Sequence, residues 1–350
     1  MTDKGKARLK EVKLGFIGAG AMGGAIIRGL RTRARLPREN LVYYDPDPAC
    51  QKKMQKLGVE KVQGNQEIMR AQVVVLAVKP QLMDRVLAEI KSFAEPRHLI
   101  ISIAAGVPLA KLEAACPESR VIRTMPNAPA LVGAGMACLS PGSRATQEDT
   151  ALALELFQAV GQAAVVEERL MDAVTALSGS GPGFVALFVE ALADGGVKAG
   201  LPRALAQHMA VQTVWGAAKL IHEEELHPAK LKDMVASPAG TTIEGLFALE
   251  SGGFRGLVMS AVAAAAARSV ELGKKEIIIH KKLGMLSKNT FDKIILVGTN
   301  NKTKSLAKAI NEPEKIEFIK DERTEYIRKI KELSEKSDWI FLENDVTQNY

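Results

Sequence analysis

One loop that leads into a predicted helix carries the residues best suited to binding a small anion. Pro238 and Gly240 interrupt regular structure, and Thr241 and Thr242 stand where the helix is expected to begin. A helix start offers free backbone N–H groups and the positive end of the helix dipole, to which the threonines add two hydroxyls. This combination suits a carboxylate, although an ordinary helix cap after a loop is the simpler interpretation of these residues alone.

The residues around this loop point to a known family. The run from Pro228 to Glu250, which contains Ser237-Pro238-Ala239-Gly240-Thr241-Thr242, closely resembles the signature of pyrroline-5-carboxylate reductases. Three further segments match the same family in the same order: Phe16-Ile17-Gly18-Ala19-Gly20-Ala21-Met22-Gly23, Ala77-Val78-Lys79-Pro80 and Leu177-Ser178-Gly179-Ser180-Gly181-Pro182. The resemblance covers roughly residues 12–275 and nothing after them.

The resemblance implies the last reduction of proline biosynthesis. A hydride would pass from C4 of NADPH or NADH to C5 of the cyclic imine 1-pyrroline-5-carboxylate and give L-proline. Ser237, Gly240 and Thr241 would hold the substrate carboxylate, and Thr242 would be the catalytic residue that hydrogen-bonds the ring nitrogen. Because the imine nitrogen can be protonated near neutral pH, positioning of the two rings would supply most of the acceleration.

A glycine-rich turn near the start of the chain predicts a dinucleotide site. Gly18, Gly20 and Gly23 form a G-x-G-x-x-G fingerprint between a predicted strand and a predicted helix. Asp45 follows twenty-two positions beyond Gly23, at the end of a second predicted strand. Gly18 permits the tight turn, Gly20 lets the backbone approach the pyrophosphate, and Gly23 lets the helix pack close to the sheet. The phosphates would rest on the helix N-terminus.

Strands alternate with helices as far as about residue 168, which predicts a doubly wound, Rossmann-type α/β domain. The predicted strands lie at residues 11–17, 41–45, 73–78, 98–103, 120–124, 135–139 and 163–166. In such folds ligands bind beyond the carboxyl ends of the strands. The cofactor-binding residues that we predict on this basis and from the resemblance are Gly18, Gly20, Ala21, Met22, Gly23, Asp45, Asn65, Ala77, Val78, Lys79, Pro80, Ala105 and Asn127.

Two of these residues have particular roles. The resemblance places Asn65 where the family has an asparagine that touches the cofactor ribose. Asp45 should favour NADH by accepting hydrogen bonds from the ribose hydroxyls and repelling a 2′-phosphate, unless it merely caps the following helix. Lys52 or Lys53 could instead reach the phosphate of NADPH, so the choice of cofactor stays open.

The composition and the predicted secondary structure change after the first domain. The predicted segments are 1–10 (tail), 11–168 (dinucleotide-binding domain), 169–275 (helical substrate and dimerisation domain) and 276–350 (extension). Ala-rich helices are predicted at residues 182–199, 202–222, 228–235, 242–250 and 256–272. The apolar stripe of the last helix is too wide for one small domain to bury. We therefore expect a homodimer or a higher homo-oligomer.

The final stretch, residues 276–350, loses alanine and becomes rich in Lys, Ile, Asn and Glu. Strands are predicted at 292–298, 315–319 and 338–343, and helices at 303–310 and 323–335. This predicts a small α/β extension, appended by evolution or fused artificially. Its strand–helix–strand pattern resembles the closing domain of Mur ligases, without a specific motif.

Composition limits the other possibilities. The net charge of +7 is modest and spread along the chain, so it does not argue for nucleic-acid binding. No apolar run is long enough to predict a membrane span, and none of the five histidines has metal-ligand spacing. Three cysteines without a C-x-x-C motif suggest a reducing compartment, so we expect a soluble, cytoplasmic protein without a metal.

Two alternative functions remain. β-Hydroxyacid dehydrogenases share the expected architecture, but they use a helical lysine shortly after a glycine-rich turn, and the chain has no lysine between Gly179 and Lys198. A nucleotide-sensing or scaffold protein without catalysis is the second alternative. The intact loop at residues 237–242 argues against it, and a turnover assay would separate the two.

Overall fold

The computed structural model describes residues 8–290 and three later strands, at Ile294–Val297, Ile316–Ile319 and Ile340–Leu342, with side chains described for residues 9–272. The chain divides into two compact units, Met1–Ser269 and Val270–Tyr350. The division lies a few residues before the predicted start of the extension. Each unit has its own sheet.

The first unit contains eight strands: β1 (Leu14–Ile17), β2 (Leu41–Tyr44), β3 (Glu60–Lys61), β4 (Val73–Leu76), β5 (Leu99–Ser102), β6 (Arg120–Met125), β7 (Gly135–Pro141) and β8 (Gly161–Val165). Its α-helices are α1 (Ala21–Thr32), α2 (Pro48–Lys56), α3 (Asn65–Ile68), α4 (Met83–Ile90), α5 (Leu109–Ala115), α6 (Gln147–Gln158), α7 (Met171–Val174), α8 (Gly181–Lys198), α9 (Arg203–Glu223), α10 (Pro228–Val235) and α11 (Thr241–Ser251). Helix α12 (Phe254–Thr290) begins in this unit and ends in the second.

The sheet of the first unit has the strand order β3-β2-β1-β4-β5-β6-β7-β8. Every residue of β1, β4 and β5 is buried, as expected for central parallel strands that are covered on both faces. Alternate residues of these strands enter two hydrophobic clusters, one on each face, so helices cover both sides. The predicted doubly wound, Rossmann-type fold is confirmed.

One pairing departs from an all-parallel sheet. β6 pairs with β7 in antiparallel fashion, so the sheet reverses direction there, and β7 and β8 are again parallel to each other. A short connection causes the reversal: it contains a 3₁₀ turn at Ala128–Val132 that ends at Gly133 with a φ of 78°. A connection this short has no room for the crossover helix that a parallel neighbour requires.

From α7 onward the unit is helical, as predicted, but it buries little of its apolar surface. α8 and α9 pack on each other through a small core of Ala193, Ala206 and Ala210. Large apolar side chains of the helices remain exposed, among them Trp215, Phe247 (71%) and Met259 (72%). By length and composition alone, the helical run Glu168–Lys198 and the bent pair of α11 with the first part of α12 would also qualify as membrane spans.

Two local features of the helices differ from the predictions. A π-helical turn, Thr175–Gly179, connects α7 with α8, and no sequence signal predicted it. α12 continues to Thr290, well past the predicted end at residue 272. The added residues are mostly Lys, Ile, Leu and Met without a proline, and this composition allows a helix to continue.

The described part of the second unit contains a three-stranded parallel sheet with the order β10 (Ile316–Ile319), β9 (Ile294–Val297), β11 (Ile340–Leu342). All three strands fall within the predicted ones. The helices predicted at 303–310 and 323–335 lie outside the described residues.

Removal of residues 291–350 should leave the first unit folded, because its sheet and hydrophobic clusters form without them. We expect the midpoint of thermal unfolding to move by no more than a few degrees. A second variant that ends after Lys275 tests whether the last turns of α12 matter. Aggregation of the variant that ends at Thr290 would show that the second unit is integral to the first.

Candidate functional site

The glycine turn at the end of β1 is shaped by its closeness to the end of β4. Gly18 has a φ of 95°, and a Cβ atom there would lie 2.5 Å from the carbonyl oxygen of Ala77. A Cβ atom on Gly23 would lie 2.5 Å from the carbonyl oxygen of Gly18 and 2.9 Å from the Cβ of Ala77. A Cβ atom on Gly20 would meet nothing within 4 Å. Two of the glycines therefore permit close packing, while Gly20 faces open space.

The strand register brings three predicted residues together at the carboxyl edge of the sheet. β1 pairs in parallel with β2 and with β4, and the last residues of the strands are in register. Gly18, Asp45 and Ala77, the next residues, therefore lie side by side. The N–H of Gly18 donates to the carbonyl of Tyr44 (2.8 Å), and the N–H of Ala77 donates to the carbonyl of Ile17 (2.8 Å).

Asp45 braces this turn. Its side chain is only 8% exposed. One carboxylate oxygen accepts a hydrogen bond from the N–H of Ala19 (2.7 Å) and the other accepts one from the N–H of Asp47 (2.8 Å). The N-cap of α2 is Asp47, whose carboxylate accepts from the N–H of Ala49 (2.8 Å). Asp45 is therefore tied to the glycine turn, and its contact with a ribose stays a prediction.

Other predicted cofactor residues surround the same edge. Asn65 begins α3 and is 8% exposed; its amide nitrogen donates to Glu89 (2.7 Å), and its amide oxygen has no partner among the described residues. Lys79 caps an exposed 3₁₀ turn after β4, and Ala105 is exposed after β5. Ala21 and Met22 form the first turn of α1, while Val78 and Pro80 flank Lys79 after β4.

The candidate substrate loop has a strained backbone and ends in an open helix terminus. Ala239 has a φ of 55°, which a non-glycine residue seldom adopts. The N–H of Gly240 donates to the carbonyl of Ser237 (3.0 Å) and closes the turn. Gly240 is the N-cap of α11 and offers no side-chain acceptor to the first helical N–H groups. Those N–H groups and the hydroxyls of Thr241 and Thr242 are therefore available to a ligand.

The loop at residues 237–242 is weakly packed within a single chain. α10 and α11, the helices on either side of the loop, bury none of their residues. Within the described residues, none of the hydrogen bonds joins the loop to the glycine turn. We call the glycine turn at the edge of the sheet and the loop in the helical part the two half-sites.

Comparisons with known proteins identify both parts. Residues 168–272 match a family model described as pyrroline-5-carboxylate reductase dimerisation, and residues 13–106 match one described as NADP oxidoreductase, coenzyme F420-dependent. The pyrroline-5-carboxylate reductase of Synechocystis is 49% identical over 266 residues, which are 75% of this chain and 99% of that protein. The Escherichia coli enzyme of the same name is 42% identical over 267 residues, 75% of this chain and 99% of that protein.

Solved structures agree. A pyrroline carboxylate reductase of Plasmodium falciparum with NADP bound is 35% identical, with a TM-score of 0.67 over 75% of this chain and 99% of that one. The Coxiella burnetii pyrroline-5-carboxylate reductase is 34% identical, with a TM-score of 0.72 over 75% and 98%.

The chain belongs to the pyrroline-5-carboxylate reductase family.

With the family, the predicted reaction is confirmed: the chain is an NAD(P)H-dependent oxidoreductase that acts on a cyclic imine, in proline biosynthesis. The matched dimerisation region includes the apolar run Glu168–Lys198, so a subunit interface accounts for its composition. Three quarters of this chain covers 99% of the length of each of these two relatives.

Sequence reasoning missed two contacts that join the reductase's sheet to its helical part. The amide nitrogen of Asn127 donates to the carbonyl oxygen and to the hydroxyl of Ser178, each at 3.2 Å. Arg123 in β6 forms an ion pair with Oε1 of Glu168 (2.7 Å). The same oxygen accepts a hydrogen bond from the N–H of Leu109 (3.1 Å). An arginine that follows two apolar residues within a predicted strand was the signal in the sequence for the second contact.

The cysteines offer no nucleophile. Burial raises the pKa of Cys116 to about 11, and burial with the negative charge of Asp45 and a hydrogen bond to Asp47 raises the pKa of Cys50 to about 11. Burial also raises the pKa of Cys138. The raised pKa values disfavour the thiolate form, so these thiols are poor nucleophiles at neutral pH.

Asp45→Ala should destabilise the reductase by about 2–4 kcal/mol, because it leaves two backbone N–H groups without their charged acceptor. Asp45→Asn keeps one acceptor oxygen and should cost about half as much. Urea unfolding followed by circular dichroism measures both. Equal stability of all three proteins would show that the carboxylate does not brace the turn.

Proposed function

We propose that the loop at residues 237–242 holds the substrate while this chain reduces 1-pyrroline-5-carboxylate to L-proline with NAD(P)H, the reaction of its family. The observation that carries the proposal is the uncapped N-terminus of α11 beside the strained residue Ala239. Strained backbone of this kind concentrates at ligand sites, where bound ligand contacts offset its cost.

The substrate carboxylate fits this terminus in charge and in hydrogen bonding. The first N–H groups of α11 lack a side-chain acceptor, and the helix dipole favours a negative charge there. Ser237 and Thr241 are exposed and contribute hydroxyl donors. Thr242 is half-buried one position further along α11, where its hydroxyl would meet the ring nitrogen. The loop thereby orients the imine as well as binding it.

The N-terminus of α1 would hold the cofactor pyrophosphate. Gly20 is its N-cap without a side-chain acceptor, and the first turn contains no acidic residue, so no side chain of the helix itself caps its first N–H groups. A phosphate can approach closely because Gly20 faces open space. The exposed Lys79 at the end of β4 adds a positive charge at the same edge of the sheet.

Catalysis then depends on orientation. Bound NAD(P)H supplies the hydride from C4 of its nicotinamide. The chain holds the carboxylate at α11 and the pyrophosphate at α1, and so it fixes the distance between the two rings. Thr242 would hydrogen-bond the imine nitrogen and direct C5 toward the nicotinamide. Because the imine nitrogen can be protonated near neutral pH, the chain needs to supply little acid–base chemistry before the hydride moves.

Asp45 and Asp47 favour NADH in this proposal. Asp45 follows directly after β2 and Asp47 lies two residues later, where a 2′-phosphate of NADPH would lie, and like charges there would oppose it. Lys52 and Lys53 in α2 are exposed and would offset part of that repulsion. We therefore expect activity with both cofactors and a higher kcat/KM with NADH.

The complete site would form in a homodimer. The exposed apolar side chains of α8, α9, α11 and α12, together with the match to a dimerisation region, support a second copy against these helices. That copy could bring its own sheet edge to the loop of the first. The three unpaired cysteines fit a reducing compartment, and we place the reaction in the cytoplasm, without a nucleic acid or a membrane as partner.

Purified protein supplied with 1-pyrroline-5-carboxylate should consume NADH or NADPH and form proline. Thr242→Ala should lower kcat/KM at least about ten-fold with unchanged cofactor affinity, because one hydrogen bond to a charged group is lost. Thr242→Ser keeps the hydroxyl and is the matched control. Absence of proline with both cofactors would refute the proposed function, whereas normal kinetics of Thr242→Ala would reduce Thr242 to a helix residue.

A further inference from the structure

Asn127 connects three parts of the reductase. It lies two residues after the end of β6, and its amide oxygen accepts a hydrogen bond from the N–H of Met136 in β7 (2.8 Å). Its amide nitrogen donates to the carbonyl oxygen and to the hydroxyl of Ser178 (3.2 Å each). Ser178 belongs to the π-helical turn Thr175–Gly179. Both ends of the amide are thus engaged by the protein itself.

The π turn lies against the end of β6. The N–H of Ser180 donates to the carbonyl of Thr175 (2.9 Å), the five-residue spacing that widens the helix. A Cβ atom on Gly179 would lie 2.8 Å from the terminal methyl of Met125, the last residue of β6. π turns within α-helices are frequent at functional sites, because they place backbone groups where a regular helix would not.

The position of this contact relates it to the cofactor. In a doubly wound sheet the strand order reverses at one point, and a dinucleotide binds across that point. Each half of the sheet then binds one half of the dinucleotide. The glycine turn and Asp45 belong to the β1–β3 half. β4, β5 and β6 form the other half, beyond whose carboxyl ends the nicotinamide would lie. The turn Thr175–Gly179 sits at the end of β6, on the nicotinamide side.

We propose that Asn127 is a positioning residue for hydride transfer. It holds the turn Thr175–Gly179 against the nicotinamide pocket and acts through Ser178. This proposal replaces our prediction from the sequence that Asn127 binds the cofactor, because both ends of its amide are bonded to the protein. The proposal rests on the proposed function. A displacement of about 1 Å in the reacting groups can cost a hundred-fold in rate, so loosening this wall lowers kcat.

Asn127→Asp is the direct test, because it keeps the size of the side chain and an acceptor for Met136 but removes the donor to Ser178. We expect kcat to fall at least ten-fold, the Kd of the reduced cofactor by nicotinamide fluorescence to change less than two-fold, and the deuterium isotope effect on kcat to increase. Ser178→Ala keeps the carbonyl acceptor and should retain most of kcat. Asn127→Ser serves if Asn127→Asp does not fold.

Hydrogen–deuterium exchange provides a readout that does not need turnover. The amides of residues 175–180 should exchange faster in Asn127→Asp than in the unchanged protein. Equal exchange in the two proteins would overturn this proposal. That outcome is distinct from a failure of the unchanged protein to make proline, which would refute the proposed function. A ten-fold rise in cofactor Kd with normal kcat would also overturn it and make Asn127 a cofactor ligand. A fall in thermal stability alone, with normal kcat, would leave Asn127 a structural residue and overturn it as well.

Discussion

The close contact between the glycine turn and the end of β4 is the constraint on which the nucleotide half-site depends. Gly18 and Gly23 bring the start of α1 against Ala77 at distances that no Cβ atom would allow. This contact points the first N–H groups of α1 across the carboxyl edge of the sheet. Asp45 then secures the turn through the N–H of Ala19, so a buried charge serves the geometry of the backbone. A small shift of α1 would change the position of every phosphate contact.

The substrate half-site is weakly packed, whereas the nucleotide half-site is tightly packed. α10 and α11 bury none of their residues, and the loop between them contains a non-glycine residue at positive φ. A segment so weakly packed is among the first to open locally. Its order would therefore come from a second subunit and from the substrate. Reduction of the imine would then depend on formation of the homodimer, because the surface that pairs two subunits also completes the site.

The sequence predicted those features that depend on local pattern. The spacing of Gly18, Gly20 and Gly23 between a strand and a helix identified the turn, and runs of apolar residues identified the central strands. The brace formed by Asp45 could not be predicted, because it depends on which backbone N–H groups the register of β1 and β2 brings near it. The bond between Asn127 and Ser178 is likewise a contact between residues far apart in the sequence, which leaves no periodic signal.

Subunit complementation tests most directly whether a site forms from two half-sites in different copies. Gly20→Asp places a carboxylate into the open space beside the turn without a clash, so it blocks the pyrophosphate and leaves the fold intact. Ser237→Ala/Thr242→Ala disables the loop. Co-expressed in equal amounts, the two inactive chains should recover about a quarter of the unchanged activity, because half of the dimers are mixed and each mixed dimer has one intact site. Mixed dimers that form but stay inactive would place the turn and the loop of a site in the same chain.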